Sequence, residues 1–498
     1  KSNLDGMNFS APLQYRHAFA KKGRTFSVNV NPGYSQNKGN SYLNSWTMYY
    51  ADTLSSDLLD QMADRDVNGL SLNSSVAYTE PVTAKSQLMF SYKNSYNKSN
   101  SDKELFNYSD VDLAYTNLDT VLSNKYNSRY LSQSAGIDYR YQQEKWNLTT
   151  GLAYQYAQLH GAQVFPVEYS INKVFVSFLP SAQFQYKYSK KKILRINYRS
   201  SNKAPTVSQL QNVIDNANPL LLSTGNPNLK QNWQNSLSLR FSSSNTEKSK
   251  SFMTLLNATL TQNYIVNHAS IAMQDSMVAP GIILAKGSQI TRPINMDGYF
   301  NLRSFTIYSL PIPKLKSNMN LNVGGAFTHA PGMINNQINY ANSYNVGFGL
   351  AFSSNISEYF DFLVSSNTTY NMISNTLQSK SNSEYYNQSS KLKIQAMPWK
   401  WMVLQTDINH QYNSGLSEEY NQNYFLWNAA IGCKLLKDQR AELRLSVYDI
   451  LKQNNSITRN TTETYYEDVQ TNVQQRYLML TFTYNIKYYK SDKPAGNE

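Results

Sequence analysis

Leu478-Met479-Leu480-Thr481-Phe482-Thr483-Tyr484-Asn485-Ile486-Lys487 sorts cleanly at a period of two. Leu478, Leu480, Phe482, Tyr484 and Ile486 fall on one side, and Met479, Thr481, Thr483, Asn485 and Lys487 on the other. A helix would scatter these side chains around its axis, whereas a strand alternates them between two faces. Alternation sustained over about ten residues matches the span a tilted strand needs to cross a bilayer, and strands of soluble sandwiches run to about five or six. The pattern recurs after Pro313, where Met319, Leu321, Val323, Gly325 and Phe327 oppose Asn318, Asn320, Asn322, Gly324, Ala326 and Thr328. After Glu144, Trp146, Leu148, Leu152, Tyr154 and Tyr156 oppose Asn147, Thr149, Gly151, Ala153 and Gln155. Such alternation describes a wall with lipid on one side and a hydrated or plugged lumen on the other, so the predicted fold is all-β, a transmembrane antiparallel β-barrel.

Nine short connections pair these stretches, near Lys22, Val82, Glu144, Lys191, Thr246, Ile312, Ile356, Pro398 and Asp438. Pro81, Pro311, Pro313 and Pro398 lie in them or at strand ends, where a missing N–H does no harm. The connections on the other side are long and rich in Asn, Ser, Asp and Tyr: Gln36–Asp66, Lys98–Asn127, Lys203–Lys230, His268–Arg292 and Lys452–Gln474. They read as extracellular loops, and Asp57–Arg65 inside the first reads as a short helix. Two strands per short turn plus the final Arg476–Tyr488 give about nineteen. The first recognisable strand, Leu13–Phe19, and the last both run toward the short turns, which places the C-terminus in the periplasm. An even, closed antiparallel barrel starts and ends on one side, so an odd number of strands is expected before Leu13; three would make a barrel of about twenty-two.

Composition agrees. The chain has 498 residues, 41% of them hydrophobic, with 39 Tyr against 20 Phe. So polar a chain does not fill a large soluble core, but a barrel needs apolar residues on one face only, and Tyr and Trp suit its two wet interfaces. No stretch approaches the roughly 20 apolar residues of a membrane helix, and the mean hydropathy of −0.54 does not argue against spanning strands. The single cysteine, Cys433, excludes a disulfide framework and shares the phase of Phe425, Trp427, Ala429 and Ile431, on the lipid side. The net charge of +13 is spread thinly, and several lysines (Lys21, Lys22, Lys190, Lys191, Lys192) sit in short turns, so solvation explains it better than nucleic acid does. The opening Lys1-Ser2-Asn3-Leu4-Asp5 has no apolar signal region, so the chain reads as a mature fragment or a truncated sequence.

One stretch carries a family likeness. Arg195-Ile196-Asn197-Tyr198-Arg199-Ser200-Ser201-Asn202-Lys203-Ala204-Pro205-Thr206-Val207-Ser208-Gln209-Leu210, followed by Gly225-Asn226-Pro227-Asn228-Leu229-Lys230, resembles the barrel signature of TonB-dependent outer-membrane receptors. The motif residues are Ala204, Pro205, Leu210, Gly225, Asn226, Pro227, Leu229 and Lys230. Pro205 ends a rising strand, Gly225 to Pro227 make a bend, and a descending strand starts near Trp233. Tyr15 to Arg24 and Gln475 to Leu478 are similar to the same family's early hairpin and last strand, so the likeness covers essentially the whole chain, within the "outer membrane protein beta-barrel" subgroup. It implies a Gram-negative outer-membrane location and import of a specific nutrient (siderophore, vitamin, glycan or peptide). It also implies a plug domain moved by the inner-membrane TonB complex, and in this subgroup a surface lipoprotein is a further partner. Residues 1–498 are then the barrel domain, with the plug and the first three strands expected outside it.

No catalytic or cofactor constellation stands out, and the chain reads as no enzyme. His17, His160, His268, His329 and His410 lack metal-ligand spacing, and Asp361, Asp407 and Asp449 are isolated acids. Gly347 and Gly349 read as room for a plug or a neighbouring backbone. The candidates for substrate contact are loop residues: Trp46, Tyr49 and Tyr50 to stack on a flat ligand, and Asn212, Asp215 and Asn216 to hydrogen-bond to it. Two other readings remain open. A plugless channel or a secretion or assembly barrel would conduct ions without energisation, and an outer-membrane hydrolase would need an acid, a His and a Ser clustered on one rim.

Overall fold

A computed structural model describes residues 2–50, 54–120, 122–165, 168–212, 214–215, 218, 220–279, 281–354, 357, 359–377, 382–415, 421–436, 439–461 and 466–486. Its strands are β1 (Ser2–Ser10), β2 (Leu13–Ala18), β3 (Thr25–Tyr50), β4 (Leu54–Pro81), β5 (Ser86–Ser109), β6 (Ala114–Leu118), β7 (Asn124–Gln142), β8 (Trp146–Phe165), β9 (Tyr169–Ser189) and β10 (Lys192–Lys203). A single-turn helix α1 (Val207–Leu210) precedes β11 (Leu221–Ser223), β12 (Asn232–Asn245), β13 (Lys250–Gln262), β14 (Tyr264–Ile271), β15 (Ser276–Ala279), β16 (Ile282–Leu284), β17 (Gln289–Met296) and β18 (Tyr299–Ile312). Then come β19 (Ser317–Ile334), β20 (Gln337–Ser354), β21 (Phe360–Asn375), β22 (Ser383–Trp399), β23 (Met402–Ser414), β24 (Gln422–Leu435), β25 (Ala441–Tyr448), β26 (Ser456–Thr461), β27 (Tyr466–Thr471) and β28 (Tyr477–Tyr484). Setting aside the short loop strands β6, β11, β15, β16, β26 and β27, and joining β1 to β2, β13 to β14 and β17 to β18, leaves nineteen long runs among the described residues, the expected number.

The chain forms two compact units. Unit 1 comprises Lys1–Arg240, Asn257–Leu302 and Thr328–Ala341. In it β3, β4, β5, β7, β8, β9 and β10 pair antiparallel in sequence, so each rung of the ladder can be followed from strand to strand. One rung reads Val28, Val76, Tyr92, Ala135, Tyr154, Phe178 and is apolar. The rung one residue along, facing the other way, reads Asn29, Ser75, Lys93, Ser134, Gln155, Ser177 and is polar. Its members bond across strands, as where Asn29 donates to Ser75 at 3.2 Å. This polar face lines a cleft of about 880 Å³ with residues from β3 through β10.

Unit 2 comprises Phe241–Leu256, Arg303–Phe327 and Asn342–Glu498. Here β21 to β25 and β28 pair antiparallel. The rungs Leu404, Ile431, Leu445, Leu480 and Met402, Cys433, Leu443, Phe482 share the apolar face, so Cys433 takes the phase expected for it. Leu480, Phe482 and Ile486 are 67%, 63% and 86% exposed, so this face is not a dry protein interior. On the opposite face Arg444 pairs with Glu442 at 2.6 Å, and Asp407 accepts from Asn428 at 2.9 Å and from Asn409 at 3.3 Å. At Gly349 the neighbours that leave no room for a Cβ are the side-chain amides of Asn322 and Asn367 rather than a backbone.

Seven of the nine expected turns fall on described residues and lie between consecutive strands or at their ends; Ile356 and Asp438 lie outside the described residues. At the first, Glu80 clamps the turn to β4 by accepting from Lys21 at 2.6 Å, Arg24 at 2.7 and 2.9 Å, and Tyr78 at 2.6 Å.

The long connections depart from expectation. Over the described residues of Gln36–Asp66 the chain is not a loop: β3 and β4 continue as one ladder, in unbroken register from Thr25↔Thr79 to Tyr50↔Leu54. Asp57–Arg65 lies in β4 and is not a helix. An isolated helix of that length is marginal in water, while the ladder gives each backbone group a partner on the facing strand. Likewise β5 runs on to Ser109, and Lys203–Lys230, His268–Arg292 and Lys452–Gln474 hold α1 with β11, the β15–β16 hairpin and the β26–β27 hairpin.

Candidate functional site

The quoted motif builds a structure of its own in unit 1. β10 ends at Lys203, and Pro205 cannot continue the ladder. Thr206 then opens α1 as an N-cap: its backbone N–H donates to Gln209 Oε1 at 2.9 Å while Gln209 N–H donates to Thr206 Oγ1 at 3.3 Å, a reciprocal capping box. Leu210 and Leu229, each 1% exposed, turn inward and pack on Ala157, Leu159, Ile171 and Phe175, with Ala204 at the edge of the cluster. Those four come from the polar-face register of β8 and β9, so here the wall swaps polar side chains for apolar ones to receive the motif. Gly225 passes so close to Gln211 that a Cβ would overlap its carbonyl.

Asparagine side chains tie the returning segment down. Asn226 donates its N–H to the Gln209 carbonyl at 2.6 Å and its Nδ2 to the Pro293 carbonyl at 2.9 Å. Lys230 N–H donates to Asn295 Oδ1 at 2.8 Å, and Asn295 Nδ2 donates back to the Lys230 carbonyl at 3.0 Å. β11 pairs parallel with β17, and Leu222 is buried with Ala272, Ile282 and Leu284. The described residues of the motif are thus fixed to the β8–β9 face and to β17.

Beside this motif lies a cleft of about 440 Å³, lined by Arg65, Lys103, Asn124, Gln211, Asp215 and Thr291 among others. Arg65 and Lys103 stand directly opposite each other on β4 and β5. Gln211 Nε2 and Asn124 Oδ1 are shielded from solvent and have no hydrogen-bond partner. A donor and an acceptor held without partners, next to two cations, favour a ligand that is both polar and anionic.

Of the expected contact residues, Asp215 lines this cleft and bridges to Ser223, while Asn212 is exposed in the segment after α1. Trp46 is exposed on the extended part of β3, opposite Leu58. Tyr49 and Tyr50 end β3, and Asn216 lies outside the described residues. Arg65, Lys103, Asn124 and Gln211 were not expected, because their convergence depends on strand register. The histidines are dispersed: His410 stacks on Phe425 and His329 on Tyr340, His160 contacts Asn172 at 2.6 Å, and His268 accepts from Asn336. Among the described residues no three His, Cys, Asp or Glu side chains form a metal-holding group. Asp449 is buried and accepts from the N–H groups of Gln453 at 2.9 Å and Asn454 at 3.1 Å, a loop-ordering role.

Residues 17–484 match the outer membrane protein beta-barrel family. No curated protein matches the chain. Among solved structures the chain is similar to the ferric citrate transporter FecA in its unliganded form, at 10% identity and a TM-score of 0.53, covering 97% of this chain and 62% of that one. It is also similar to the ferric-catecholate import receptor Fiu from E. coli K12, at 11% identity and a TM-score of 0.51, covering 97% and 64%. At such identities the likeness is one of fold, and the chain spans under two thirds of the length of either receptor. The likeness to TonB-dependent receptor barrels read from Ala204 to Lys230 therefore holds at the level of the wall. With its apolar rungs on one face and its polar rungs on the other, this chain is an outer-membrane antiparallel β-barrel and belongs to the outer membrane protein beta-barrel family.

Proposed function

We propose that this chain is the wall of a TonB-dependent receptor that imports a specific nutrient, of siderophore, vitamin, glycan or peptide type. In this reading the long strands and loops face the outside, and the short turns, with the C-terminal run after β28, face the periplasm. A plug domain answers to the inner-membrane TonB complex, a surface lipoprotein is a candidate partner, and the chain transports and does not catalyse. The observation that carries the reading is the motif cover, whose Leu210 and Leu229 are sunk into the inner face of β8 and β9. A merely passive wall has no need of a cap fixed by Asn226 and Asn295 beside a cleft.

Ligand contact is assigned to that cleft, through Arg65, Lys103, Asn124, Gln211 and Asp215, with Trp46, Tyr49, Tyr50, Asn212 and Asn216 as further candidates. The experiment is growth of a deletion strain on limiting iron chelates, cobalamin, glycans and peptides, complemented with wild-type or Arg65→Gln/Lys103→Gln protein. Rescue on one nutrient class is expected, abolished by loss of TonB and reduced about tenfold by the double variant. Rescue that persists without TonB, together with ion conductance of the purified protein in planar bilayers, would replace this reading by a plugless channel.

A further inference from the structure

The apolar face of unit 1 ends in a pair of cations. Following the ladder away from the short turns, the rung Leu72, Tyr96, Leu131, Gln158, Val174 is still largely apolar. The next rung on the same face reads Leu70, Lys98, Arg129, His160, Asn172. Lys98 and Arg129 are therefore direct cross-strand neighbours, and both are exposed. Like charges placed opposite each other weaken a sheet unless something neutralises them.

Nothing among the described residues does so. Among the described residues neither Lys98 nor Arg129 forms an ion pair, and the following rung supplies only Asn68, Asn100, Asn127, Ala162 and Ser170. The contrast lies two rungs further out, where Lys38 meets Asp66 at 3.7 Å and Lys125 meets Asp102 and Glu104 at 3.1 and 2.7 Å. On this face the two lysines beyond the pair, Lys38 and Lys125, have carboxylates, whereas Lys98 and Arg129 have none among the described residues.

The height of the pair fits a headgroup layer. Trp146, beside the short turn at 143–145, packs against Tyr141 at 5.3 Å and Phe184 at 6.3 Å and marks the near interface. From Trp146 to His160 along β8 is about 48 Å of strand, or about 34 Å along the membrane normal at a tilt of about 45°. That is the hydrocarbon thickness plus the start of the far headgroups. We propose that Lys98 and Arg129, flanked by His160, form a site for the phosphate of a membrane lipid in the leaflet opposite the short turns. The guanidinium offers a bidentate fork, the ammonium a point charge, and Leu72, Leu131 and Val174 lie below them for the acyl chains. The inference rests on the membrane placement of the wall and is independent of transport.

Native mass spectrometry of the purified protein in detergent tests it, with dihexanoyl phosphatidic acid as probe and dihexanoyl phosphatidylcholine and inorganic phosphate as comparisons. Phosphatidic acid is expected to be retained over phosphatidylcholine, and to be lost about tenfold in Lys98→Gln/Arg129→Gln but not in Lys191→Gln/Lys192→Gln. Equal retention by the first double variant, equal retention of phosphatidylcholine, or displacement by equimolar inorganic phosphate would overturn it. If that variant does not migrate as a folded barrel on unheated gels, salt decides: the wild-type adduct should fall between about 50 and 500 mM NaCl, and a salt-independent adduct would overturn the proposal.

Discussion

Single residues hold the motif cover in place, and their roles differ in kind. At Gly225 the obstacle to a side chain is backbone, the Gln211 carbonyl, which cannot rotate away. Gly225→Ala should therefore destabilise the segment by about 2–3 kcal/mol, read as faster amide exchange at Asn226 and Leu229, while the same change at the uncrowded Gly347 should cost under about 1 kcal/mol. Equal protection in both variants would mean that the close approach is not built into the fold. Asp112, in the turn between β5 and β6, is held below the ordinary aspartate range by the Thr116 hydroxyl first and by Ser109 second. Because its pKa is lower folded than unfolded, its contribution is present above the ordinary value of about 4 and is lost as pH falls through the lower folded one. Exchange protection around Ser109–Thr116 should accordingly drop below about pH 4, and Asp112→Asn should remove the pH dependence.

Whole strands obey a two-sided rule that a pair of adjacent substitutions exposes. Leu480 lies in the apolar rung with Leu445 and Ile431, and Met479 in the opposite rung with Ser446 and Ala430. Leu480→Arg should cost about 2–4 kcal/mol in urea titrations in vesicles, and Met479→Arg much less, since only the first puts a charge into lipid. This sidedness was legible in the sequence because strand bodies carry it in every second residue and the turns between them carry Pro, Gly or Lys. The extensions of β3, β4 and β5 were not legible. In Gln36–Asp66 polar residues occupy both phases, so nothing in the pattern separates a loop from a ladder standing in water. Register was hidden for the same reason, and with it the meeting of Arg65 with Lys103 and of Lys98 with Arg129, each pair more than thirty positions apart. The motif was legible as a bend but not as a cap, since the burial of Leu210 and Leu229 depends on apolar residues that β8 and β9 place on an otherwise polar face.

At the scale of the molecule the decisive quantity is which face lipid touches, and the lone cysteine allows it to be read in each unit separately. Cys433 lies on the apolar face of unit 2, between Met402 and Leu443. In reconstituted vesicles it should react with a membrane-partitioning pyrenyl maleimide and resist a charged methanethiosulfonate, whereas Ser446→Cys in a Cys433→Ser background should show the opposite order. Unit 1 offers a matched pair in the same background, Ala135 on the apolar rung with Tyr92 and Tyr154, and Ser134 on the polar rung with Lys93 and Gln155. A charged reagent does not partition into hydrocarbon whereas the pyrenyl maleimide does, so Ala135→Cys should follow Cys433 and Ser134→Cys should follow Ser446→Cys. All four positions becoming equally reactive after denaturation would establish that folding and not sequence context sets the order. Were one unit to invert the pattern, the membrane placement of that unit would be wrong.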